Sequence, residues 1–433
     1  MNSGPTTAMG GYEIPTHRVI RGRLQPPPSK SITQRALNLA LLSRRPVIIE
    51  HPLLAEDTEL FLAALNTLGL ESDLREDRLT LRPTDPPDGA EIWCGNNGTM
   101  LRFLTAALSS LPGEWRLMGS KRLHERTVGP LVEALRTLGA RIEYMESEGF
   151  APLLISGGQL DGGAVELDAS LSSQFASALL MVATQARSSL LLRLDSPVSV
   201  PYLDLTGEIL ESWGGQIEAQ RDSKTFRVEP SPLSLDRFVV EGDYSAAAYP
   251  AAAAVLTGGN VLLERLGRDS AQGDRRFLEI LASMGAQVEW RESGVEVRAG
   301  LALSGLEVDL ADMPDQVPTL AALAPFASGR TVIRNVGHLR IKESDRLAAM
   351  SSELVRLGAA VVERRDGLEI EGSWSGNRVP DDRVVVATHG DHRVAMSLAV
   401  CGLRRPGVVV DTPEVVAKSY PGFWKDLDEL LDS

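Results

Sequence analysis

Charged residues crowd the short segment 338–346, which reads His-Leu-Arg-Ile-Lys-Glu-Ser-Asp-Arg. A β-branched run at 331–336 precedes it, and apolar residues at three- and four-residue steps from Leu347 to Leu357 predict a helix after it. Helix starts expose backbone N–H groups and the positive end of the helix dipole, which favour acids and disfavour cations. The cations here therefore have two interpretations. Either they pair with the acids on a solvated surface, or they bind an anionic ligand beside a catalytic carboxylate.

Cations recur at other predicted helix starts. Residues 26–35 open a helix with Lys30 in its first turn and with Ser31 and Arg35 on one face. Residues 95–102, 170–175 and 389–393 open three more helices with glycine, hydroxyl, amide or histidine side chains, and Asp391 is the expected cap of the last one. Taken singly, each is explained by an ordinary capped surface helix. Jointly, seven cations precede or open helices: Lys30, Arg35, Arg126, Lys342, Arg346, Arg393 and Lys418.

Several helix N-termini directed at one cleft would form a strong anion site. Two like charges about 4 Å apart repel by about 4 kcal/mol at an effective dielectric constant of 20. A site that unites two phosphorylated molecules therefore needs many fixed cations. Asp315 precedes another predicted helix, where it is either a turn residue or a base.

The elements that carry these residues repeat. A helix that ends in glycine and leads into a strand recurs at Gly69, Gly139, Gly214, Gly285 and Gly358, about 70 to 75 residues apart. Glycine at such a position is typical of the residue that follows a helix end. A last helix is predicted at 423–431. Strands that alternate with helices indicate an α/β or α+β class in about six units, which could divide three and three.

Composition narrows the classes of function. The 433 residues suffice for two or more domains, and the net charge of −14 argues against nucleic acid as a partner. Neither a secretory signal nor an apolar run of about 18 residues is readable, so we expect no membrane partner. Cys94 and Cys401 form neither a disulfide framework nor zinc-ligand spacing, which fits a cytoplasmic location.

Six motifs in this order resemble those of the 5-enolpyruvylshikimate-3-phosphate synthases, over about residues 21–424. They are Pro28-Ser-Lys-Ser31, Gly95-Asn-Asn-Gly-Thr99, Ser172-Ser-Gln174, Gly242-Asp-Tyr-Ser245, Leu339-Arg-Ile-Lys-Glu-Ser-Asp-Arg346 and Asp391-His-Arg393. The resemblance implies the two-domain enolpyruvyl transferase fold, with six βαβαββ repeats arranged three per domain around a pseudo-threefold axis. It also implies a discontinuous domain of residues 1–22 and 241–433, an inserted domain of residues 23–240, and an active-site cleft between them.

The resemblance implies the substrates as well. The family transfers the enolpyruvyl group of phosphoenolpyruvate to the 5-hydroxyl of shikimate 3-phosphate and releases phosphate, with no metal or organic cofactor. Carried over by motif, the shikimate 3-phosphate site is Lys30, Ser31, Arg35, Ser172, Ser173, Gln174, Ser199, Asp315 and Lys342. The phosphoenolpyruvate site is Lys30, Gly98, Arg126, Gln174, Arg346, Arg393 and Lys418.

The reaction needs one acid and one base near the same carbons. The methylene carbon of phosphoenolpyruvate gains a proton while C2 accepts the hydroxyl, and the resulting intermediate then loses phosphate. Similarity assigns Asp315 as the base for the hydroxyl and Glu343 as the donor to the methylene carbon, with Lys30 sharing proton transfer. The cations that would stabilise the carboxylate and the departing phosphate are Arg126, Arg346, Arg393 and Lys418.

Two other classes compete with this interpretation. The UDP-N-acetylglucosamine enolpyruvyl transferases share the fold but carry a cysteine in the loop that corresponds to residues 113–126, where this sequence has none. A non-catalytic repeat scaffold is disfavoured by the acidic charge and the 5% aromatic content. We expect a monomer whose partners are small molecules. Phe103 and His338 depart from residues common in relatives, whereas Gly98 keeps the small residue associated with sensitivity to glyphosate.

Overall fold

The computed structural model describes residues 11–220, 224–376 and 379–432. Close contacts within the chain define two units. The first unit holds the described residues up to Pro27 and from Glu241 onward, and the second is Pro28–Val240.

The chain alternates between strands and helices along its whole described length. The strands are β1 (Tyr12–Glu13), β2 (Arg23–Leu24), β3 (Val47–Glu50), β4 (Leu70–Arg75), β5 (Arg78–Pro83), β6 (Gly89–Trp93), β7 (Gly113–Met118), β8 (Arg141–Tyr144), β9 (Leu153–Gly157), β10 (Gly163–Asp168), β11 (Leu190–Asp195), β12 (Gln216–Gln220), β13 (Thr225–Glu229), β14 (Arg237–Val239), β15 (Asn260–Glu264), β16 (Gln287–Arg291), β17 (Gly294–Arg298), β18 (Glu307–Asp309), β19 (Arg330–Arg334), β20 (Val361–Arg364), β21 (Gly367–Glu371), β22 (Val384–Val386) and β23 (Val408–Val410). The helices are α1 (Lys30–Ser43), α2 (Glu56–Thr67), α3 (Gly98–Ser110), α4 (Lys121–His124), α5 (Gly129–Thr137), α6 (Ser173–Val182), α7 (Pro201–Ser212), α8 (Tyr244–Thr257), α9 (Phe277–Ser283), α10 (Val317–Leu323), α11 (Arg346–Arg356), α12 (His392–Gly402) and α13 (Phe423–Asp432). Short 3₁₀ helices include Gly273–Arg276, Pro314–Gln316, Gly337–Ile341 and Pro413–Lys418.

Most sheets follow one plan, in which two neighbouring strands are parallel and one of them also pairs with an antiparallel hairpin. In the second unit the strand orders are β14-β3-β5-β4, β6-β7-β9-β8 and β10-β11-β13-β12. In the first unit they are β16-β17-β15-β2 and β18-β19-β21-β20, together with the three-stranded sheet β1-β23-β22. Each unit therefore holds three sheets of the described residues.

The last copy of the repeat departs from the prediction of six βαβαββ units. Strands β22 and β23 are parallel, as in the other copies, but β1 pairs antiparallel with β23 where a hairpin would otherwise lie. Helix α13 follows β23 without an intervening hairpin. Five copies thus have the complete plan, and the sixth is completed by a strand from the other end of the chain.

Two short strands close to the unit boundaries each pair within their own unit. Strand β2 pairs in parallel with β15, and Leu262 lies opposite Arg23. Strand β14 pairs in parallel with β3, and Arg237 lies opposite Ile48. Because β2 belongs to the sheet of β15, the first segment of the discontinuous unit continues to Pro27, beyond the boundary after residue 22 that the sequence suggested.

The repeated glycines do end helices, as the sequence predicts. The φ angles of Gly69, Gly139, Gly214, Gly285 and Gly358 lie between 75° and 112°, in the left-handed region that favours glycine. At Gly285 a Cβ atom would also lie 2.5 Å from the carbonyl oxygen of Ala302. The period found in the sequence therefore corresponds to a real structural repeat.

Buried helices form the centre of each unit. In the second unit α3 contacts both α1 and α6, and in the first α12 contacts both α8 and α10. These helices are apolar around most of their circumference, which suits helices surrounded by protein; in α8, residues Ala246 to Leu256 are all buried. Among the described residues, no helix has the length and apolar character needed to cross a membrane. The N-termini of these central helices carry most of the predicted site residues.

Candidate active site

In the first unit, the carboxylate of Asp315 lies between two buried guanidinium groups. Its Oδ1 accepts a hydrogen bond from Arg346 Nη1 at 2.8 Å, and its Oδ2 accepts one from Arg393 Nη2 at 2.6 Å. Asp315 lies in the 3₁₀ helix before α10, Arg346 begins α11, and Arg393 is the second residue of α12. Three helix starts that are distant in sequence therefore meet at one carboxylate.

Arg346 also contacts two further carboxylates. Its Nη2 donates to Glu343 Oε2 at 2.9 Å, and its Nε donates to Asp391 Oδ2 at 2.7 Å. Burial alone would lower the pKa of Arg346, but Asp391, Glu343 and Asp315 raise that pKa above its ordinary value. The Arg346 side chain is 2% exposed, so these carboxylates compensate a charge that has lost its water.

Acidic caps fix the starts of α11 and α12. Asp345 accepts a hydrogen bond from the amide of Ala348 at 3.0 Å, and Asp391 accepts one from the amide of Arg393 at 2.9 Å. The prediction that Asp391 caps a helix is confirmed, but Asp391 also accepts from Ser344 Oγ at 3.1 Å. A single buried carboxylate thus joins the start of α12 to the residues before α11.

Three other residues discussed above lie in the same unit. Lys342 follows the 3₁₀ helix Gly337–Ile341, and Lys418 ends the 3₁₀ helix Pro413–Lys418 and is buried. Burial, aided by the charge of Lys342, lowers the pKa of His338 to about 3, so this imidazole is neutral near pH 7. A neutral imidazole can therefore form hydrogen bonds near Asp315 and Arg346 without adding a charge.

In the second unit, Lys30 lies in the first turn of α1, and its Nζ is 3.3 Å from Asp57 Oδ2. Asn97 connects this pair to α3: its Nδ2 donates to the carbonyl of Asp57 at 2.8 Å, and its Oδ1 accepts from the amide of Met100 at 2.9 Å. Asn97 therefore caps α3 and fixes the position of α2 at the same time.

Gly98 allows Arg126 to approach the start of α3. A Cβ atom at position 98 would lie 2.7 Å from Arg126 Cζ, which is too close for any real contact. The Arg126 side chain is buried, and its Nη1 is 3.4 Å from the carbonyl oxygen of Asn96. The glycine thus makes room for a cation at a helix N-terminus, where a cation without an anion is disfavoured.

Gln174, the second residue of α6, connects α6 to α3. Its Nε2 donates to Thr99 Oγ1 at 2.9 Å, and its Oε1 accepts a hydrogen bond from Arg102. Arg102 also donates to the carbonyl of Thr127 at 3.1 Å. Ser172 caps α6 by accepting from the amide of Gln174 at 3.2 Å, and Ser173 is buried beside it.

Arg35 lies in the interior of the second unit. Its guanidinium donates to Thr206 Oγ1 at 2.8 Å, to the carbonyl of Ser31 at 3.0 Å and to Ser177 Oγ at 3.2 Å. Burial lowers the pKa of Arg35 to about 10, and its Cζ lies 5.6 Å from the centre of the Phe103 ring. The ring of Phe103 thus covers this guanidinium.

Ser199 precedes α7 and has a φ of 56°. A non-glycine residue in this left-handed region costs on the order of 1–2 kcal/mol, and such conformations cluster at functional sites. The Ser199 side chain is buried.

The family model for EPSP synthase (3-phosphoshikimate 1-carboxyvinyltransferase) matches residues 15–427 of this chain. The chain belongs to the EPSP synthase family. It is 43% identical over 415 residues to the 3-phosphoshikimate 1-carboxyvinyltransferase of Syntrophobacter fumaroxidans, an alignment that covers 95% of this chain and 97% of the relative. It is 38% identical over 431 residues to the 3-phosphoshikimate 1-carboxyvinyltransferase of a Sulfurovum species, an alignment that covers 98% of this chain and 99% of the relative.

A solved EPSP synthase structure from Acinetobacter baumannii superposes on this chain with a TM-score of 0.81 at 26% identity, covering 97% of this chain and 98% of that one. The comparison confirms the predicted α/β class and the enolpyruvyl transferase fold. The family match also favours the EPSP synthase interpretation over the UDP-sugar enolpyruvyl transferases. Both cysteines, Cys94 and Cys401, are buried, and neither lies in residues 113–126.

The buried carboxylate of Asp274 contacts residues of the site region but was not predicted from the sequence. Asp274 Oδ2 accepts from Gln316 Nε2 at 2.9 Å and from Ser245 Oγ. Burial, together with the charge of Asp315, raises the pKa of Asp274 to about 6. Ser245 belongs to a motif that the sequence did single out, but nothing in the spacing relates it to Asp274.

Arg102 and Tyr249 were likewise left out of the predicted site. Arg102 lies off the apolar stripe of α3, which was the available signal. Tyr249 is a buried residue of α8, and its hydroxyl accepts from Arg393 Nη1 at 3.4 Å. Burial raises the pKa of Tyr249 to about 12, so it is a neutral partner for Arg393.

Proposed function

We propose that this chain transfers the enolpyruvyl group of phosphoenolpyruvate to the 5-hydroxyl of shikimate 3-phosphate and releases phosphate, in the shikimate pathway to chorismate and the aromatic amino acids. Family membership over nearly the full chain supports the reaction class. The observation that carries the proposal is the contact of Asp315 with both Arg346 and Arg393, with Glu343 on the same Arg346 guanidinium. It gathers two carboxylates for proton transfer and two cations for an anionic substrate.

Both units supply residues in this proposal. Shikimate 3-phosphate is bound by Lys30, Ser31, Arg35, Ser172, Ser173, Gln174, Ser199, Asp315 and Lys342. Phosphoenolpyruvate is bound by Lys30, Gly98, Arg126, Gln174, Arg346, Arg393 and Lys418. We therefore propose that the bound substrates contact both units and that binding draws the units together, which excludes water from the reaction. Small-angle scattering should then give a smaller radius of gyration with both ligands than with neither.

The addition step joins the two substrates. The 5-hydroxyl oxygen attacks C2 of phosphoenolpyruvate while Asp315 accepts the hydroxyl proton. Glu343 donates a proton to the methylene carbon, and Lys30 shares in proton transfer. The product of this step is a tetrahedral intermediate that retains the phosphate group. Its phosphate and carboxylate charges lie among guanidinium and ammonium groups, which stabilise charge most strongly where water is excluded.

The elimination step breaks the bond between C2 and the phosphate oxygen. The methyl group returns a proton to the base that protonated it, the C=C double bond forms again, and phosphate leaves with the electron pair of the broken bond. The cations that stabilise the departing phosphate are Arg126, Arg346, Arg393 and Lys418. Neither step needs an external oxidant or reductant.

A phosphate-release assay tests the function directly. The wild-type chain should release phosphate from phosphoenolpyruvate with shikimate 3-phosphate and not with UDP-N-acetylglucosamine, and the product should be identified by mass spectrometry. Activity with the UDP-sugar alone would support the rival class. The absence of turnover with either acceptor would overturn the proposal.

We further propose that the chain acts as a monomer in the cytoplasm and is inhibited by glyphosate in competition with phosphoenolpyruvate. The two buried cysteines and the absence of a disulfide between them suit a reducing compartment. Gly98 supports the inhibitor proposal, because a side chain there would displace Arg126. Size-exclusion chromatography with light scattering tests the first part, and inhibition kinetics at several phosphoenolpyruvate concentrations test the second.

A further inference from the structure

Glu353 is a buried carboxylate on α11 that lies outside both proposed substrate sites. Its side chain is 4% exposed. Oε1 lies 3.1 Å from His389 Nε2, and Oε2 accepts from the amide of Ala387 at 3.1 Å and from Arg356 Nη1 at 2.6 Å. Both carboxylate oxygens are therefore used, and two of the three contacts reach the turn that precedes α12.

Glu353 and Arg346 lie on the same face of α11. They are seven residues apart, which at 3.6 residues per turn is about two turns, or about 10 Å along the axis. Arg346 contacts Asp391, while Glu353 contacts Ala387 and His389. Two charged contacts from one helix face thus hold both ends of the segment 387–391.

This segment has a backbone that needs external support. His389 has a φ of 54° and the next residue, Gly390, a φ of 67°. A histidine in the left-handed region persists only where surrounding contacts hold it, because that conformation costs on the order of 1–2 kcal/mol. The amide of Thr388 donates to Asp411 Oδ1 at 3.0 Å, so the strained residue lies between a fixed neighbour and the Glu353 contact.

We propose that Glu353 and His389 are positioning residues, which hold the 387–391 segment on α11 and thereby orient Arg346 and Arg393 for phosphoenolpyruvate. The inference rests on the proposed function. Loss of the Glu353 contacts lets the segment relax, Asp391 then shifts relative to Arg346, and Arg393 shifts relative to Asp315. Neither Glu353 nor His389 needs to touch a substrate for this effect.

The test compares two substitutions at one position. In Glu353→Leu both acceptor oxygens are lost, and KM for phosphoenolpyruvate should rise about tenfold, since small misplacements of binding groups have large kinetic effects. KM for shikimate 3-phosphate should stay within about twofold, because most of its proposed partners lie in the second unit. In Glu353→Gln the amide oxygen still accepts from Ala387 and the amide nitrogen donates to His389, so KM for phosphoenolpyruvate should stay within about threefold of wild type.

Glu50 provides a matched control. Its side chain is 8% exposed, and it pairs with Arg78 at 2.9 Å and with Arg237, in the sheet of β3. Glu50→Leu therefore removes another buried carboxylate that bonds to arginine, but far in sequence from α11 and α12. Both KM values should stay within about twofold of wild type even though the midpoint of thermal unfolding falls.

A second variant protects the test against loss of folding. His389→Ala keeps the Ala387 and Arg356 contacts of Glu353 and should raise KM for phosphoenolpyruvate about threefold. If Glu353→Leu fails to fold, the KM of His389→Ala for phosphoenolpyruvate tests the inference instead. The inference is overturned if KM for phosphoenolpyruvate is unchanged in His389→Ala and in folded Glu353→Leu, or if both KM values rise equally. Either result leaves the proposed function standing. An inactive wild-type chain overturns the proposed function and this inference together.

Discussion

The two units present their charged residues in different ways. In the first unit, three carboxylates surround two arginines: Asp315, Glu343 and Asp391 contact Arg346, and Asp315 also contacts Arg393. In the second unit, buried arginines near the predicted site contact neutral groups: Arg126 lies beside the carbonyl of Asn96, and Arg102 beside the amide of Gln174. Lys30, by contrast, pairs with the carboxylate of Asp57.

This difference suggests a division of labour. Carboxylates can exchange protons near neutral pH, whereas hydroxyls, amides and guanidinium groups only donate or accept hydrogen bonds there. In the proposed mechanism the first unit therefore supplies both carboxylates for proton transfer, in which Lys30 of the second unit shares. Neutral partners compete with an incoming phosphate less strongly than carboxylates do, so the second unit is better suited to bind anions.

The largest expected effect comes from Glu343→Gln in the first unit. The amide oxygen keeps the hydrogen bond from Arg346, so both KM values should stay within about threefold while kcat falls about a thousandfold, as expected for loss of a general acid or base. Steady-state kinetics with both substrates measure this. Gln174→Ala in the second unit should instead raise KM values more than it lowers kcat. Near-normal turnover in Glu343→Gln would remove this residue from the mechanism.

The next effect concerns stability. Burial and Asp315 raise the pKa of Asp274 to about 6 from an ordinary value near 3.8. The folded chain therefore keeps a proton that the unfolded chain releases, and the free energy of unfolding falls as pH rises from about 4 to about 6. Above that window the ionised carboxylate destabilises the fold by on the order of 2–3 kcal/mol. Asp274→Asn should remove this dependence and be more stable than wild type at pH 7.5.

Urea unfolding at pH 4.5 and pH 7.5 measures the difference. The advantage of Asp274→Asn should grow with pH. Asp57→Asn is the comparison in the second unit, where the carboxylate lies beside Lys30 Nζ and its loss should lower stability at pH 7.5. A gain for Asp57→Asn, or an equal response of Asp274→Asn at both pH values, would argue against the contrast between the units.

Local features of the fold were predictable from the sequence. The helix that ends at Gly285 and the cap formed by Asp391 depend on neighbours within a few residues, so their signals are contiguous. The period of about 70 residues was also predictable, because each copy carries such a local helix-end pattern. The pairing of β2 with β15 was not, because a two-residue strand has no periodicity and its partner is about 240 residues away. That pairing accompanies the grouping of residues up to Pro27 with the first unit, whereas the resemblance implied a boundary after residue 22.

The site shows the same limit. Motifs and resemblance identified Asp315, Arg346 and Arg393 separately, but only three-dimensional structure shows that one carboxylate bonds to both guanidinium groups. Asp274 was missed because its partners, Ser245 and Gln316, are about 30 and 42 residues away. Sequence spacing describes one helix or one turn, whereas burial and charge compensation depend on which helix starts converge.

A smaller effect is expected from Gly98→Ala in the second unit. The new Cβ would lie 2.7 Å from the Arg126 guanidinium, which is too close, so one of the two groups must move. The guanidinium moves more easily because it is the end of a flexible side chain. KM for phosphoenolpyruvate should rise about tenfold with little change in KM for shikimate 3-phosphate. Gly207 lies inside α7, where a new Cβ would meet only Ile217 Cδ1, at an ordinary contact distance of 3.8 Å, so Gly207→Ala is the control. Equal kinetics for both variants would show that Arg126 does not need its present position.

The smallest expected effect concerns the two cysteines, one in each unit. Cys94 and Cys401 are fully buried, and burial raises the pKa of each thiol to about 12. Since the thiolate is the reactive form, a thiol reagent at pH 8 should label neither cysteine in the folded chain. The variant with both cysteines changed to alanine should keep kcat within about twofold, since no proposed step uses a thiol.

Single replacements turn the same reagent into a probe of each unit. In Cys94→Ala only Cys401 of the first unit can be labelled, and in Cys401→Ala only Cys94 of the second. Because the first unit holds the destabilising Asp274 carboxylate, the urea concentration that exposes Cys401 should fall more between pH 4.5 and pH 7.5 than the concentration that exposes Cys94. Addition of Asp274→Asn should raise the urea concentration needed to expose Cys401 and leave that for Cys94 nearly unchanged. Exposure of both thiols at one urea concentration in every variant would mean that the units unfold together, so that the cost of the buried carboxylate is shared by the whole chain.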